Sequence, residues 1–216
     1  MKRVYVFLTV LLLLGVGSVR AEAIGSAFGT ITTAKAIGQG KVGTSVVVGI
    51  ADATSVYGSL TYGMSKYWDG RIRLGLYDPG GNADVRFTVG GDFKWQFWNV
   101  GMSNAYPMDF ALGGFFEFVD FGNASATQIG GQFIVSRDIQ LTRGGTLTPY
   151  GRFNTRIEIL SIDVPPGSTI DNTDSNLEIG VNGGVKWQFT SSVAFFGEFQ
   201  FDGNDGIFLG VDFDIM

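Results

Sequence analysis

From Asp84 to Phe97 the chain alternates strictly. Val85, Phe87, Val89, Gly91, Phe93, Trp95 and Phe97 occupy the odd positions; Asp84, Arg86, Thr88, Gly90, Asp92, Lys94 and Gln96 occupy the even ones. Successive side chains of a strand point to opposite faces, so this stretch predicts a strand with one apolar face and one face of charges and amides. A helix would spread both sets around its surface. The same alternation recurs and predicts ten strands, at about 37–50, 55–66, 71–78, 84–98, 108–118, 126–136, 147–160, 176–189, 193–202 and 207–215. Turn chemistry separates them. Trp68-Asp69-Gly70 predicts a hairpin turn, Pro79-Gly80-Gly81-Asn82 closes the third strand, and Gly203-Asn204-Asp205-Gly206 leads into the last. Residues 161–175, which contain Pro165-Pro166-Gly167, form the longest loop.

Two N-terminal segments do not alternate. Lys2 and Arg3 precede an apolar run from Val4 to Val16, and Val19-Arg20-Ala21 places small groups where a signal peptidase reads them. Residues 1–21 are therefore expected to be a signal peptide, its apolar run shorter than the roughly 20 residues that a membrane-spanning helix needs. Residues 22–36 are small, polar and weakly patterned, and are expected to be an N-terminal arm leading into a barrel domain at 37–216.

Composition narrows the function classes. Cleavage after Ala21 leaves 12 of the 15 basic residues against 20 acidic ones, a net charge near −8 that argues against a nucleic-acid partner. With no Cys, no disulfide holds this exported chain together. The absence of His excludes a Ser-His-Asp arrangement and imidazole metal ligation, and no catalytic, cofactor-binding or metal-binding residues are assigned. Asp202, Asn204 and Asp205 resemble a fragment of a calcium loop, but lack its ligand spacing and are explained by turn chemistry. Glycines inside the alternating stretches, such as Gly90, Gly91, Gly130, Gly131, Gly183 and Gly184, suit the crowded inner wall of a closed sheet.

The two faces then need solvents. In a transmembrane barrel lipid meets the apolar face and the lumen takes the charges, the reverse of a soluble barrel. Several strands reach the 9–11 residues needed to cross hydrocarbon at a tilt. Tyr67, Trp68, Trp95, Trp98, Tyr106, Tyr150 and Trp187 are candidates for an interfacial belt. The expected lumenal charges are Arg71, Arg73, Asp84, Arg86, Asp92, Lys94, Glu117, Arg152, Arg156, Glu158, Glu178, Lys186, Glu198, Asp202, Asp212 and Asp214. In a narrow barrel such groups pair across the interior and plug it, or else line a water path in which the arginines attract anions.

The leader, the amphipathic strands through 37–215, short turns such as Trp68-Asp69-Gly70 and the final strand Ile207 to Ile215 together resemble a small bacterial outer-membrane β-barrel protein. The resemblance implies an all-β, closed, antiparallel, up-and-down transmembrane barrel of about ten strands in the bacterial cell outer membrane. It also implies outer-membrane lipids and a barrel-assembly machine as partners, the latter reading a last strand that here ends Phe213-Asp214-Ile215-Met216 without a terminal aromatic residue. Ten-stranded relatives include surface proteases, whose His-dependent catalysis cannot carry over to this chain. A monomer is expected, with a non-enzymatic structural or surface-interaction role that could involve an extracellular ligand. The alternatives are a passive channel for small polar solutes and a secreted soluble ligand-binding β-barrel.

Overall fold

The computed structural model describes residues 25–215 apart from 79, 81–83, 103–105, 123, 143 and 163–172. The expected signal peptide and most of the 161–175 loop lie outside the described residues. Alternation becomes strands β1 (Val42–Ile50), β2 (Thr54–Gly63), β3 (Trp68–Asp78), β4 (Arg86–Trp98), β5 (Asp109–Asp120) and β6 (Ala124–Ser136). They are followed by a two-residue strand β7 (Ile139–Gln140), then β8 (Thr146–Ile162), β9 (Thr173–Gln188), β10 (Val193–Phe201) and β11 (Gly206–Asp214).

Each long strand pairs antiparallel with the next, β6 pairs with β8, and β1 pairs with β11 from Gly43↔Asp214 to Ile50↔Ile207. The ten long strands thus close into an up-and-down barrel with no free edge, while β7 only extends the base of the β6–β8 connection. Apolar side chains cover the outside: Val46, Val48, Leu60, Ile72, Leu74, Leu76, Phe93, Ile129, Ile157, Ile179, Phe199 and Leu209 are all exposed. Trp95 also points outward, 41% exposed and stacked on its cross-strand partner Trp68 at 5.6 Å. A predominantly apolar exterior over a charged interior needs hydrocarbon as its solvent, so the fold is a transmembrane β-barrel.

The structure revises several local expectations. The second turn lies at residues 64–67, and Trp68, Asp69 and Gly70 already belong to β3. Asp69 is drawn into the sheet because its side chain is used inside the lumen, where it accepts a bond from the Ile37 N–H at 2.9 Å. Tyr150 is not part of a belt: it is buried, and its hydroxyl donates to Glu198 at 2.7 Å. Asp84 and Arg86 do not reach the interior but pair with each other at the rim at 3.4 Å. The first strand begins at Val42 rather than near residue 37, because residues 37–41 turn out of the lumen.

Candidate functional site

The lumen is occupied by the chain itself. Residues 25–34 are buried except for the partly covered Thr32, although they contain no regular secondary structure. They run through the barrel from the β10–β11 turn to the β2–β3 turn. Near the first, the Ser26 carbonyl accepts bonds from Gln200 and Asn204, both at 2.9 Å; near the second, the Ile37 N–H meets Asp69.

A segment without strand partners must find other groups for its backbone, since buried N–H and C=O groups are costly when unpaired. The wall supplies them with side chains. Glu117 accepts from the Ser26 hydroxyl at 2.7 Å and from the Ala27 N–H at 3.2 Å. Glu198 accepts from the Thr30 N–H at 2.6 Å and the Ile31 N–H at 3.0 Å. On the carbonyl side, the Arg71 guanidinium donates to the Thr30 and Ile31 oxygens at 2.7 and 2.8 Å, and Lys94 donates to those of Thr33 and Lys35 at 2.7 and 2.9 Å. Gln96 and Ser136 accept from the N–H groups of Ala36 and Ala34. Carboxylates therefore hold amides and cations hold carbonyls, as the charge of each demands.

The same charges are also paired among themselves. Asp92 lies 2.8 Å from Arg71 and 3.1 Å from Arg73, Glu117 lies 3.6 Å from Arg73, and Asp69 lies 3.5 Å from Lys94. Asp202 lies 3.4 Å from Arg156. Burial of these ions is tolerable because each faces an opposite charge, whereas Glu198 is satisfied by neutral donors, among them the Tyr150 hydroxyl and the Asn182 amide. Arg152 is held differently, over the Phe115 ring at 4.6 Å and near the Thr30 hydroxyl at 3.4 Å.

The arm also brings apolar side chains into this polar interior. Phe28 packs edge-on against Tyr57 at 4.8 Å and carries the Arg73 guanidinium over its face, also at 4.8 Å. With Ile31, Val47, Tyr77, Val119, Phe196 and Phe208 it forms a buried cluster inside the barrel. Phe115 and Val119, which break the polar face of the fifth strand in sequence, thus face the lumen and its arm. Gly90 makes the room: a Cβ there would stand 2.8 Å from the Phe28 ring. Ile31 adopts a φ of 39°, unusual for a β-branched residue, and is held by Glu198 on its N–H and Arg71 on its carbonyl.

Of the sixteen expected lumenal charges, Arg71, Arg73, Asp92, Lys94, Glu117, Arg152, Arg156, Glu158, Glu198 and Asp202 converge on this buried network. Lys186 and Asp212 pair at 3.2 Å in a polar vestibule of ≈260 Å³ at the mouth where β1 begins, with Asp138 and Asp214 also on its wall. Arm residues Thr32, Thr33 and Lys35 line its other side. Here Asp138, against the burial that pushes it up, is held below the ordinary carboxylate range by hydrogen bonds from Thr148 and Lys35. The sequence puts amides such as Gln96 on the polar face, but its pattern does not place Asn204 or the arm in the site. The only signal available was the dense run of small residues from Gly25 to Ala36, which fits a narrow bore.

No family model matches this chain, and no curated protein matches it. Among solved structures it is similar to a de novo designed transmembrane β-barrel, at 14% identity over 82% of this chain and 97% of the other, with a TM-score of 0.39. The N-terminal β-barrel domain of Pseudomonas aeruginosa OprF is similar at 14% identity over 82% and 99%, with a TM-score of 0.40. The KdgM porin is similar at 8% identity over 81% and 99%, with a TM-score of 0.41. At those scores the fold assignment rests on this chain's own strand register and outward apolar face.

The β10–β11 turn fastens the arm's first described residues. Gly203 has a φ of 99°, Asp205 accepts from the Asp202 N–H at 3.0 Å, and the Asn204 side chain bridges the Ala53 N–H at 3.1 Å and the Ser26 carbonyl. Burial pushes the Asp202 carboxyl up to about 6, against the lowering effect of Arg156 and Arg152. The native state then keeps a proton that the unfolded chain releases above its ordinary value of 3.8. The stabilisation from this group is therefore complete below about pH 4 and is lost as pH rises through about 6. Thermal unfolding in detergent across that window should show a wild-type decline in Tm that Asp202→Asn flattens; parallel profiles would refute the assignment.

Proposed function

We propose that this chain is a non-enzymatic protein of the bacterial outer membrane, its barrel held closed by its own N-terminal arm, with a structural or surface-interaction role rather than passive solute diffusion. The observation that carries the reading is the seating of residues 25–36 in the lumen by charged and amide side chains from strands all around the wall. A diffusion pore needs a continuous water path, and this path is filled by polypeptide whose backbone the lining groups already bind. Those groups are thereby committed to structure, which also argues against catalytic work for the lumenal carboxylates. The closed sheet presents no unpaired edge, which supports a monomer in contact with outer-membrane lipids, inserted by the assembly machine that serves such barrels. Any extracellular ligand would then meet the loops rather than the bore. The apolar exterior argues against the secreted soluble barrel.

Planar-bilayer recording of the refolded full-length chain tests the proposal. Folded protein is expected to give no reproducible conductance steps at moderate voltage. Steady steps from the wild-type protein, verified as folded by its heat-dependent gel mobility, would overturn the closed reading in favour of a channel.

A further inference from the structure

The outer surface carries a concavity that lipid-facing strands do not require. Near the end of β4 the register shifts between Gln96 and Trp98, which pair with Ala111 and Phe110 respectively, leaving Phe97 as the extra residue of a bulge. Two consecutive side chains, Phe97 and Trp98, consequently line the same outer groove, together with Tyr106, Phe110 and Phe133. The groove has a volume of ≈340 Å³ and a wall without polar surface. Its rings brace one another: Phe110 stacks on Phe133 at 5.9 Å, and Tyr106 meets Trp98 edge-on at 6.1 Å.

In the groove wall and beyond its β6 edge, two polar groups have no protein partner among the described residues. The Trp98 indole N–H is buried and has no acceptor. Arg137 is exposed and its side chain makes no ion pair or hydrogen bond, whereas the neighbouring Asp138 is taken by Lys35 and Thr148. Along β6, Phe133 is exposed, Ile134 and Ser136 are buried, and Arg137 just beyond the strand returns to the outside. Arg137 therefore continues the outer file that starts at the groove, towards the membrane surface. Exposed Ile139 and Leu141 follow it at the base of the barrel.

From this we infer that the β4–β6 face is a binding site for an anionic glycerophospholipid, its acyl chain in the aromatic groove and its phosphate on Arg137. Charge complementarity selects this occupant: a hydrocarbon chain needs no polar partner in the groove, and a phosphate needs the guanidinium. The inference rests on the membrane reading above.

Tryptophan quenching in phosphatidylcholine vesicles tests both separately. The full chain is reconstituted with increasing fractions of phosphatidylglycerol or phosphatidylcholine carrying brominated acyl chains. Phosphatidylglycerol is expected to quench as a ligand about fivefold tighter than phosphatidylcholine, the selectivity that one cation near the headgroups supplies. Trp98→Phe should remove the preferential component, and Arg137→Gln should abolish the preference while quenching by phosphatidylcholine persists. Equal quenching by the two lipids, or a preference that survives Arg137→Gln, overturns the site while leaving the membrane reading intact. Absence of quenching by either lipid in folded protein overturns the membrane reading itself.

Discussion

Replacing Glu198 with alanine is expected to cost the barrel about 3–5 kcal/mol, the range for removing one member of a buried charged network. The residue is 1% exposed and serves four donors at once: the backbone N–H groups of Thr30 and Ile31, the Tyr150 hydroxyl at 2.7 Å and the Asn182 amide at 2.9 Å. Alanine leaves three of the four without an acceptor, the Asn182 amide keeping Gln200 Oε1 at 3.0 Å, and it frees the non-glycine residue of the arm that sits at a positive φ. Glu198→Gln keeps one acceptor oxygen and should fall between alanine and wild type. Urea unfolding in lipid vesicles, followed by tryptophan fluorescence, measures the difference. A loss below about 1 kcal/mol for Glu198→Ala, the scale of one ordinary hydrogen bond, would mean that the arm does not depend on this carboxylate. The same variant should also show intermittent conductance steps in a planar bilayer, because the middle of the arm has lost its main acceptor.

The second large effect is steric. Gly63 ends β2 where the arm leaves the lumen, and a Cβ built on it falls within the Gly38 carbonyl group. Two backbone bonds tie the segments at this crossing, Gly40 N–H to the Gly63 oxygen at 2.8 Å and Gly63 N–H to the Lys41 oxygen at 2.9 Å. Gly63→Ala must push backbone against backbone, with no flexible side chain to yield, so the expected loss is about 3 kcal/mol, the upper part of the overpacking range. Gly58→Ala is the control, since a Cβ there meets its nearest neighbour, the Ser45 carbonyl, at an ordinary 3.7 Å. It should change stability by no more than about 0.5 kcal/mol. If the two alanine variants unfold at the same urea concentration, the close crossing of arm and barrel is wrong.

The strands were legible because their cause is local. Each alternation, such as Phe87 to Phe97 or Leu177 to Trp187, assigns its own residues to two faces without reference to the rest of the chain, and a closed barrel asks little more of a strand than that. Observed strands accordingly fall within a few residues of the expected ones, apart from the late start of β1. Where two causes competed at one residue, the local reading failed. Asp69 next to Gly70 has turn chemistry, yet the arm's Ile37 N–H is a stronger claim on its carboxylate. Tyr150 has belt chemistry, yet its place in the alternation of β8, between exposed Pro149 and half-buried Gly151, turns it inward to Glu198.

By itself, then, the sequence determined the sheet: ten amphipathic strands, their order, and a set of charges turned away from the apolar face, all following from a two-residue period that acts within each strand. Only the tertiary structure decided what those charges are for. Residues 25–36 have no period of their own, and their position depends on acceptors and donors brought from β3, β4, β5, β6, β10 and the β10–β11 turn to one axis. Those groups are scattered between Asp69 and Asn204 in the chain, and they become a single backbone-binding surface when the sheet closes on itself and sets them around a narrow bore filled by the arm.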